Sequence, residues 1–179
     1  MKLGVLHLSD IHFRRESDPA RKYGESIAKA CYATAHQSDE FIIVVTGDIA
    51  FGGKAVEYGY AAELFSTILS ALKAEIGRPV NIFLAPGNHD CALLPEDEIR
   101  SLTIDKVVEL QGSELRLAWI EKCTEAQAEY YKFESMVRVL EPVFEDRLWK
   151  EFELQVGDGV LRVSSINAAW MSKLHESQG

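Results

Sequence analysis

Phe41-Ile42-Ile43-Val44-Val45-Thr46-Gly47-Asp48 decides how this chain folds. The first five residues are apolar and mostly β-branched, and the run is too short for a helix. It stops at a glycine followed by a carboxylate. Such a run reads as a strand buried in a parallel sheet, and sheets of that kind bind ligands at the carboxyl ends of their strands. Asp48 is therefore aimed at a site. Working outward, the apolar run 2–8 leads into Ser9-Asp10-Ile11-His12, and the run 80–84 leads into Pro86-Gly87-Asn88-His89-Asp90. Three strand ends thus deliver Asp, His, Asp, Asn and His.

Two helical patterns separate these runs. Asp18-Pro19 reads as an N-cap with proline at the first helical position, and Tyr23, Ile27, Ala30, Cys31 and Thr34 recur at helical spacing toward an end near Gln37. After the glycine-rich loop 47–53, a second helix presents Tyr60 or Ala61, Leu64, Phe65, Ile68, Leu69 and Leu72, and Gly77 with Pro79 stops it. Strand, helix, strand, helix, strand implies right-handed crossovers and a parallel sheet. Residues 95–149 are helical in pattern, with apolar steps through Ile104, Val107, Tyr130, Phe133, Val137 and Leu140 and a break at Pro142. This predicts two or three helices, a helical insertion at about 95–150 placed to cover the site as a cap. Residues 151–156 and 160–166 alternate around Gly157-Asp158-Gly159 and predict a hairpin that continues the sheet. The chain reads as one α/β domain over 1–179, closing in a polar tail after Trp170.

The composition, 47% apolar and 26% charged over 179 residues, suits one soluble domain with a core. No apolar run approaches the ~20 residues of a membrane helix, and no signal peptide precedes the first strand, so a cytoplasmic protein is expected. Cys31, Cys91 and Cys123 are an odd number at no ligand-like spacing and read as reduced thiols. A formal charge of −9 argues against a broad duplex-binding footprint.

Asp10 and His12 are one residue apart, so in an extended segment both side chains point to one side, as chelation needs. A carboxylate with an imidazole favours a divalent transition metal over calcium. Asp48 has lone pairs enough to bridge two metals, and Asn88 can offer its amide oxygen to the second. Two such ions form an arrangement that clamps a phosphoryl group. His89 is then free to donate to a phosphoryl or leaving-group oxygen, with Asp90 orienting it or bracing the loop.

The three blocks, Asp10-Ile11-His12, Gly47-Asp48 and Gly87-Asn88-His89-Asp90, together resemble the calcineurin-like metallophosphoesterase family. Its pattern is Asp-x-His, Gly-Asp, Gly-Asn-His-Asp or Glu, then a lone His and a Gly-His-x-His. The resemblance implies a metallophosphoesterase β-sandwich flanked by helices. It puts Asp10 and His12 on the first metal, Asp48 between the metals, Asn88 on the second and His89 in catalysis beside Asp90. Two divalent ions follow from it, manganese first and iron, zinc, nickel or magnesium next. Asn167-Ala168-Ala169-Trp170 resembles the strand end that precedes the family's lone His. The later histidine motifs have no counterpart, since His175 alone follows His89. The sandwich is therefore expected to be incomplete at its C-terminus, the N-terminal part of a longer protein with further C-terminal domains. A degenerate site holding one ion weakly is the alternative. Leu8-Ser9-Asp10-Ile11-His12 and Gly87-Asn88-His89-Asp90 resemble the phosphodiesterase and nuclease branches. They imply hydrolysis of a phosphodiester in a nucleotide or nucleic acid by metal-bound hydroxide. A phosphomonoesterase and a binding or regulatory module remain open.

Arg14 and Arg15 leave the first loop on its open side and are candidates for phosphate contacts. His7 reads as a hydrogen-bonded histidine in the core or behind the ligands, His36 as solvated and Cys91 as small packing. Tyr58, Tyr60, Tyr130, Tyr131 and Phe133 read as core aromatics, with base stacking as the alternative. Glu96, Asp97 and Glu98 read as an acidic helix start.

Overall fold

The computed structural model describes residues 1–95, 97–110 and 115–174; the expectations for Glu96, for His175 and for the end of the tail lie outside them. The three apolar runs form β1 (Leu3–Leu8), β2 (Glu40–Thr46) and β3 (Asn81–Ala85), parallel and in spatial order β1-β2-β3. Leu8 lies opposite Val45, and Thr46 opposite Ala85, so all three carboxyl ends emerge on one side.

Helix α1 (Gly24–Gln37) and helix α2 (Ala55–Ile76) supply the crossovers. The helix expected from Asp18-Pro19 begins instead as a short 3-10 turn, Pro19–Tyr23, and Asp18 does not cap it. The Asp18 carboxylate accepts the N–H groups of Arg14 and Arg15, at 2.6 and 3.0 Å, and closes the loop behind it. Those two donors hold its pKa below the ordinary carboxylate value. Helix α2 buries Tyr58, Ala61, Leu64, Phe65, Ile68 and Leu72, and Gly77 ends it in the left-handed conformation.

Side chains alternate along the strands, so the sheet has two apolar faces. Ile43, Val45, Ile82 and Leu84 meet α1 and α2 in the main core. Ile42, Val44 and Phe83 face a smaller cluster.

The helical segment beyond Asp90 consists of α3 (Glu98–Glu109), α4 (Leu117–Thr124) and α5 (Ala128–Val137). Helix α5 is built into the main core: Tyr130 and Phe133 are buried there, and Phe133 stacks on Tyr58 at 5.1 Å. Helical structure stops at Val137, short of the expected Trp149. Arg138 turns extended, Pro142 offers no N–H, and Phe144–Glu145 forms a short strand β4. Strand β4 pairs with β5 (Trp149–Val156), which forms the expected hairpin with β6 (Gly159–Ile166), but the hairpin does not continue the first sheet as expected: no strand of it pairs with β1, β2 or β3. This second, antiparallel sheet sets Phe152, Leu154, Leu161 and Val163 against the Ile42 and Phe83 face. No helix in the described residues is long and apolar enough to cross a membrane.

Candidate metal centre

The loops leaving β1 and β2 run side by side. The N–H of Asp10 donates to the Gly47 carbonyl at 3.3 Å, His12 to Asp48 and Phe13 to Ile49 at 2.9 Å, and Phe51 back to Phe13 at 3.0 Å. Asp10, His12 and Asp48 are not extended, as simple alternation would have them. Their φ angles are 56°, 53° and 54°, and no other non-glycine residue among those described is left-handed. Each such residue costs about 1–2 kcal/mol, and the strain sits on three predicted ligands. Gly47, with φ 91°, packs against Gly87: a Cβ on Gly47 would lie 2.7 Å from the Gly87 Cα.

The convergence is close. One ligand atom from each of His12, Asp48 and His89 lies within 4.8 Å of the others. His12 Nε2 stands 3.8 Å from Asp10 Oδ1 and 3.9 Å from Asp48 Oδ2, too far for hydrogen bonds. His12 Nδ1 is buried with no hydrogen-bond partner. Asp10 is more exposed, and the Ser9 hydroxyl donates to its Oδ2. Asn88 is exposed in the short 3-10 turn Asn88–Asp90.

His89 is held by the second loop. Its backbone N–H donates to Asp48 Oδ1 at 3.0 Å, and its Nδ1 lies 2.8 Å from the Phe51 carbonyl. A carbonyl only accepts, so Nδ1 carries a proton and Nε2 is the ring's free position. The ring lies edge-on to His12, centroids 4.6 Å apart.

Asp90 is wholly buried and braces the loops instead of touching the His89 ring. Oδ2 accepts from Gly87 N at 2.9 Å and Ile49 N at 3.3 Å; Oδ1 accepts from Ala50 N at 2.9 Å and Tyr58 Oη at 3.0 Å. Burial raises the Asp90 pKa against these four donors, and burial beside Asp90 raises that of Tyr58.

The two arginines diverge. Arg14 lays its guanidinium over the Phe51 ring, 3.2 Å from the centroid, whereas the Arg15 guanidinium turns to Asp18 at 3.7 Å. Phe51 is the residue that sequence reasoning missed. Its ring also sits 5.1 Å from that of His89, and only its place in the glycine-rich loop could have drawn notice. His7 is exposed and bonded to Thr46 Oγ1 at 2.7 Å, and His36 is exposed beside Glu75. Cys91 is buried, as expected, and Asn167 joins a buried network with Gln127 and Tyr131.

Two imidazoles and a carboxylate crowd together here without a hydrogen bond between their side chains, and His12 Nε2 faces the Asp10 and Asp48 carboxylates from beyond hydrogen-bond reach. A cation among these atoms would account for the crowding, taking one of the two His12 ring nitrogens, so the residues present fit a metal ion. The Phe51 carbonyl fixes the His89 ring through Nδ1–H and leaves Nε2 as its position for the site.

Fold and site together define an α/β framework whose strand ends gather residues that could hold a metal ion. The chain belongs to the calcineurin-like phosphoesterase family, whose pattern it matches over residues 3–162. It is 27% identical over 108 residues to the "Uncharacterized metallophosphoesterase-like protein YydB" of Bacillus subtilis (strain 168). That match covers 60% of this chain and 21% of the relative, so the chain spans about a fifth of that protein's length. No solved structure gives a significant match.

Proposed function

We propose that the chain is a cytoplasmic, Mn²⁺-dependent phosphodiesterase acting on a nucleotide or nucleic acid. The observation that carries this reading is the approach of His12, Asp48 and His89 within 4.8 Å, at strand ends in a phosphoesterase-family chain. Asp10, His12 and Asp48 would hold the first ion, and Asp48 with Asn88 a second. Bound there, divalent ions supply positive charge for the phosphoryl oxygens and ease deprotonation of water.

The protein's own groups do the rest. Left-handed Asp10, His12 and Asp48 turn their donors to one point before any ligand arrives, which lowers the ordering cost of binding. His89, with Nδ1–H tied to Phe51, presents Nε2 outward. A proton on Nε2 would pass to the leaving oxygen as a water oxygen, its own proton released to solvent, bonds to phosphorus and the P–O ester bond breaks. Asp90 keeps the second and third loops in register so that His89 and Asp48 face the same phosphoryl group.

The test is turnover of bis-p-nitrophenyl phosphate and p-nitrophenyl phosphate with and without Mn²⁺. We expect metal-dependent cleavage with the diester preferred, and Asp48→Asn should reduce it about 100-fold or more. Preference for the monoester would make the protein a phosphomonoesterase. No metal-dependent turnover of either would leave a binding module.

A further inference from the structure

Beside His89, the Phe51 ring and the Arg14 guanidinium are two groups that the hydrolytic reading does not use. The guanidinium carbon of Arg14 lies 3.2 Å from the centroid of the Phe51 ring, and the His89 ring packs on Phe51 at 5.1 Å with a 30° tilt. Phe51 itself is anchored, since its carbonyl binds His89 Nδ1 and its N–H donates to the Phe13 carbonyl. Arg14 is likewise fixed through its backbone N–H to Asp18. Stacking holds a guanidinium in place without consuming its N–H groups, which point outward from the ring edge. Among the described residues no carboxylate or carbonyl accepts from the Arg14 side chain, in contrast to Arg21, Arg78, Arg100, Arg138 and Arg162.

From this geometry we infer that Phe51 and Arg14 form a specificity element that binds a second anionic group of the substrate, a phosphate flanking the scissile one. Phe51 is the positioning residue and Arg14 the contact. The inference rests on the phosphodiester reading for what lies at His89, and it adds what lies one ring further out. A planar guanidinium with free paired donors suits the two oxygens of a phosphate, and its delocalised charge tolerates stacking. In a chain of net charge −9, one fixed cation beside the site also marks where a polyanionic substrate is tolerated. Arg15, one residue on, is excluded from this role because its guanidinium turns toward Asp18.

The test compares two ligands on the Mn²⁺-loaded chain by calorimetry: thymidine bisphosphate, with a phosphate at each end of the sugar, and thymidine monophosphate. We expect the bisphosphate to bind about 10- to 100-fold more tightly, the value of one charge-assisted contact. Arg14→Ala should remove that preference and Arg14→Lys should keep only part of it. Phe51→Leu retains the backbone carbonyl that holds His89 and loses the stacking ring, so it should remove the preference too. Arg15→Ala should retain it. Equal affinities in the native chain, or a preference that survives Arg14→Ala or Phe51→Leu, overturn the inference. Bis-p-nitrophenyl phosphate, which has no flanking anion, separates the two readings. If it turns over while the bisphosphate preference is absent, only this inference fails. Should the preference stand without turnover, the hydrolytic reading fails and the anion site remains.

Discussion

Gly87 has no side chain because the carboxylate of Asp48 fills the place where one would go: a Cβ there would overlap Asp48 Oδ1 and crowd its backbone N–H. The φ of Gly87 is an ordinary −103°, so spacing and not conformation demands the glycine. Gly87→Ala must displace the Asp48 carboxylate. Mn²⁺ affinity measured by calorimetry should fall about 10- to 100-fold, while native affinity would remove Asp48 from the ligand set. Asp90→Ala acts differently, stranding two buried N–H groups, the half-buried N–H of Gly87 and the Tyr58 hydroxyl. It should cost about 3–5 kcal/mol of stability, read from the urea midpoint. Asp10, His12, Asp48 and His89 were legible because each follows an apolar run within a few residues. Asp90 was legible only as one of two roles, orienter or brace, since its partners Ile49, Ala50 and Tyr58 lie 32 to 41 residues away. Phe51 was legible only as a member of the glycine-rich loop. It works through a backbone carbonyl, which every residue has, and through a ring whose neighbours come from two other loops.

Elements were legible where the signal is local and repeated. The strand β2 and the helix α2 follow from apolar runs of period appropriate to each, and Gly157-Asp158-Gly159 announced the β5–β6 turn. Boundaries failed where a polar side chain had two suitors. Asp18 reads as an N-cap but binds the loop amides of Arg14 and Arg15, and the helix opens as a 3-10 turn. Asp97 reads as part of an acidic start and does cap: it accepts from the Arg100 N–H at 3.0 Å and lies 3.4 Å from Lys122. The Arg100 N–H, set against partial burial and helped by Lys122, holds its carboxyl below the ordinary value of 3.8. A carboxylate whose folded pKa is depressed stabilises the fold above the unfolded value, and that contribution is lost as pH falls through the folded pKa. Asp97→Ala should therefore cost about 1 kcal/mol near neutrality. The gap in thermal midpoint between native and variant should close below about pH 4. A gap that stays constant into acid would mean that the carboxylate charge does not contribute.

At the scale of the whole molecule, the site and the second sheet rest on different cores. The three ligand-bearing loops leave β1, β2 and β3, whose inner face is packed by α1, α2 and α5 through Tyr58, Phe65, Tyr130 and Phe133. The β4-β5-β6 sheet meets the other face through Phe152 on Phe83, centroids 5.0 Å apart, with Ile42 between the sheets and one hydrogen bond from Ser165 Oγ to the Leu84 carbonyl. The period-2 alternation of β5 and β6 showed that one face would be buried, but no local pattern names the face it buries against. That depends on Phe83, at a separation of 69 residues from its partner in sequence, numbers 83 and 152. Phe152→Ala should open a cavity in the smaller cluster and cost about 3–5 kcal/mol. If the two cores are separate cooperative units, that cost falls on the hairpin. Hydrogen exchange should then quicken across Trp149–Val156 and Gly159–Ile166 while the β2 amides keep their protection and Mn²⁺ affinity is unchanged. Loss of β2 protection and Mn²⁺ binding together with the hairpin would show instead that the second sheet is part of what holds the three strand ends in place.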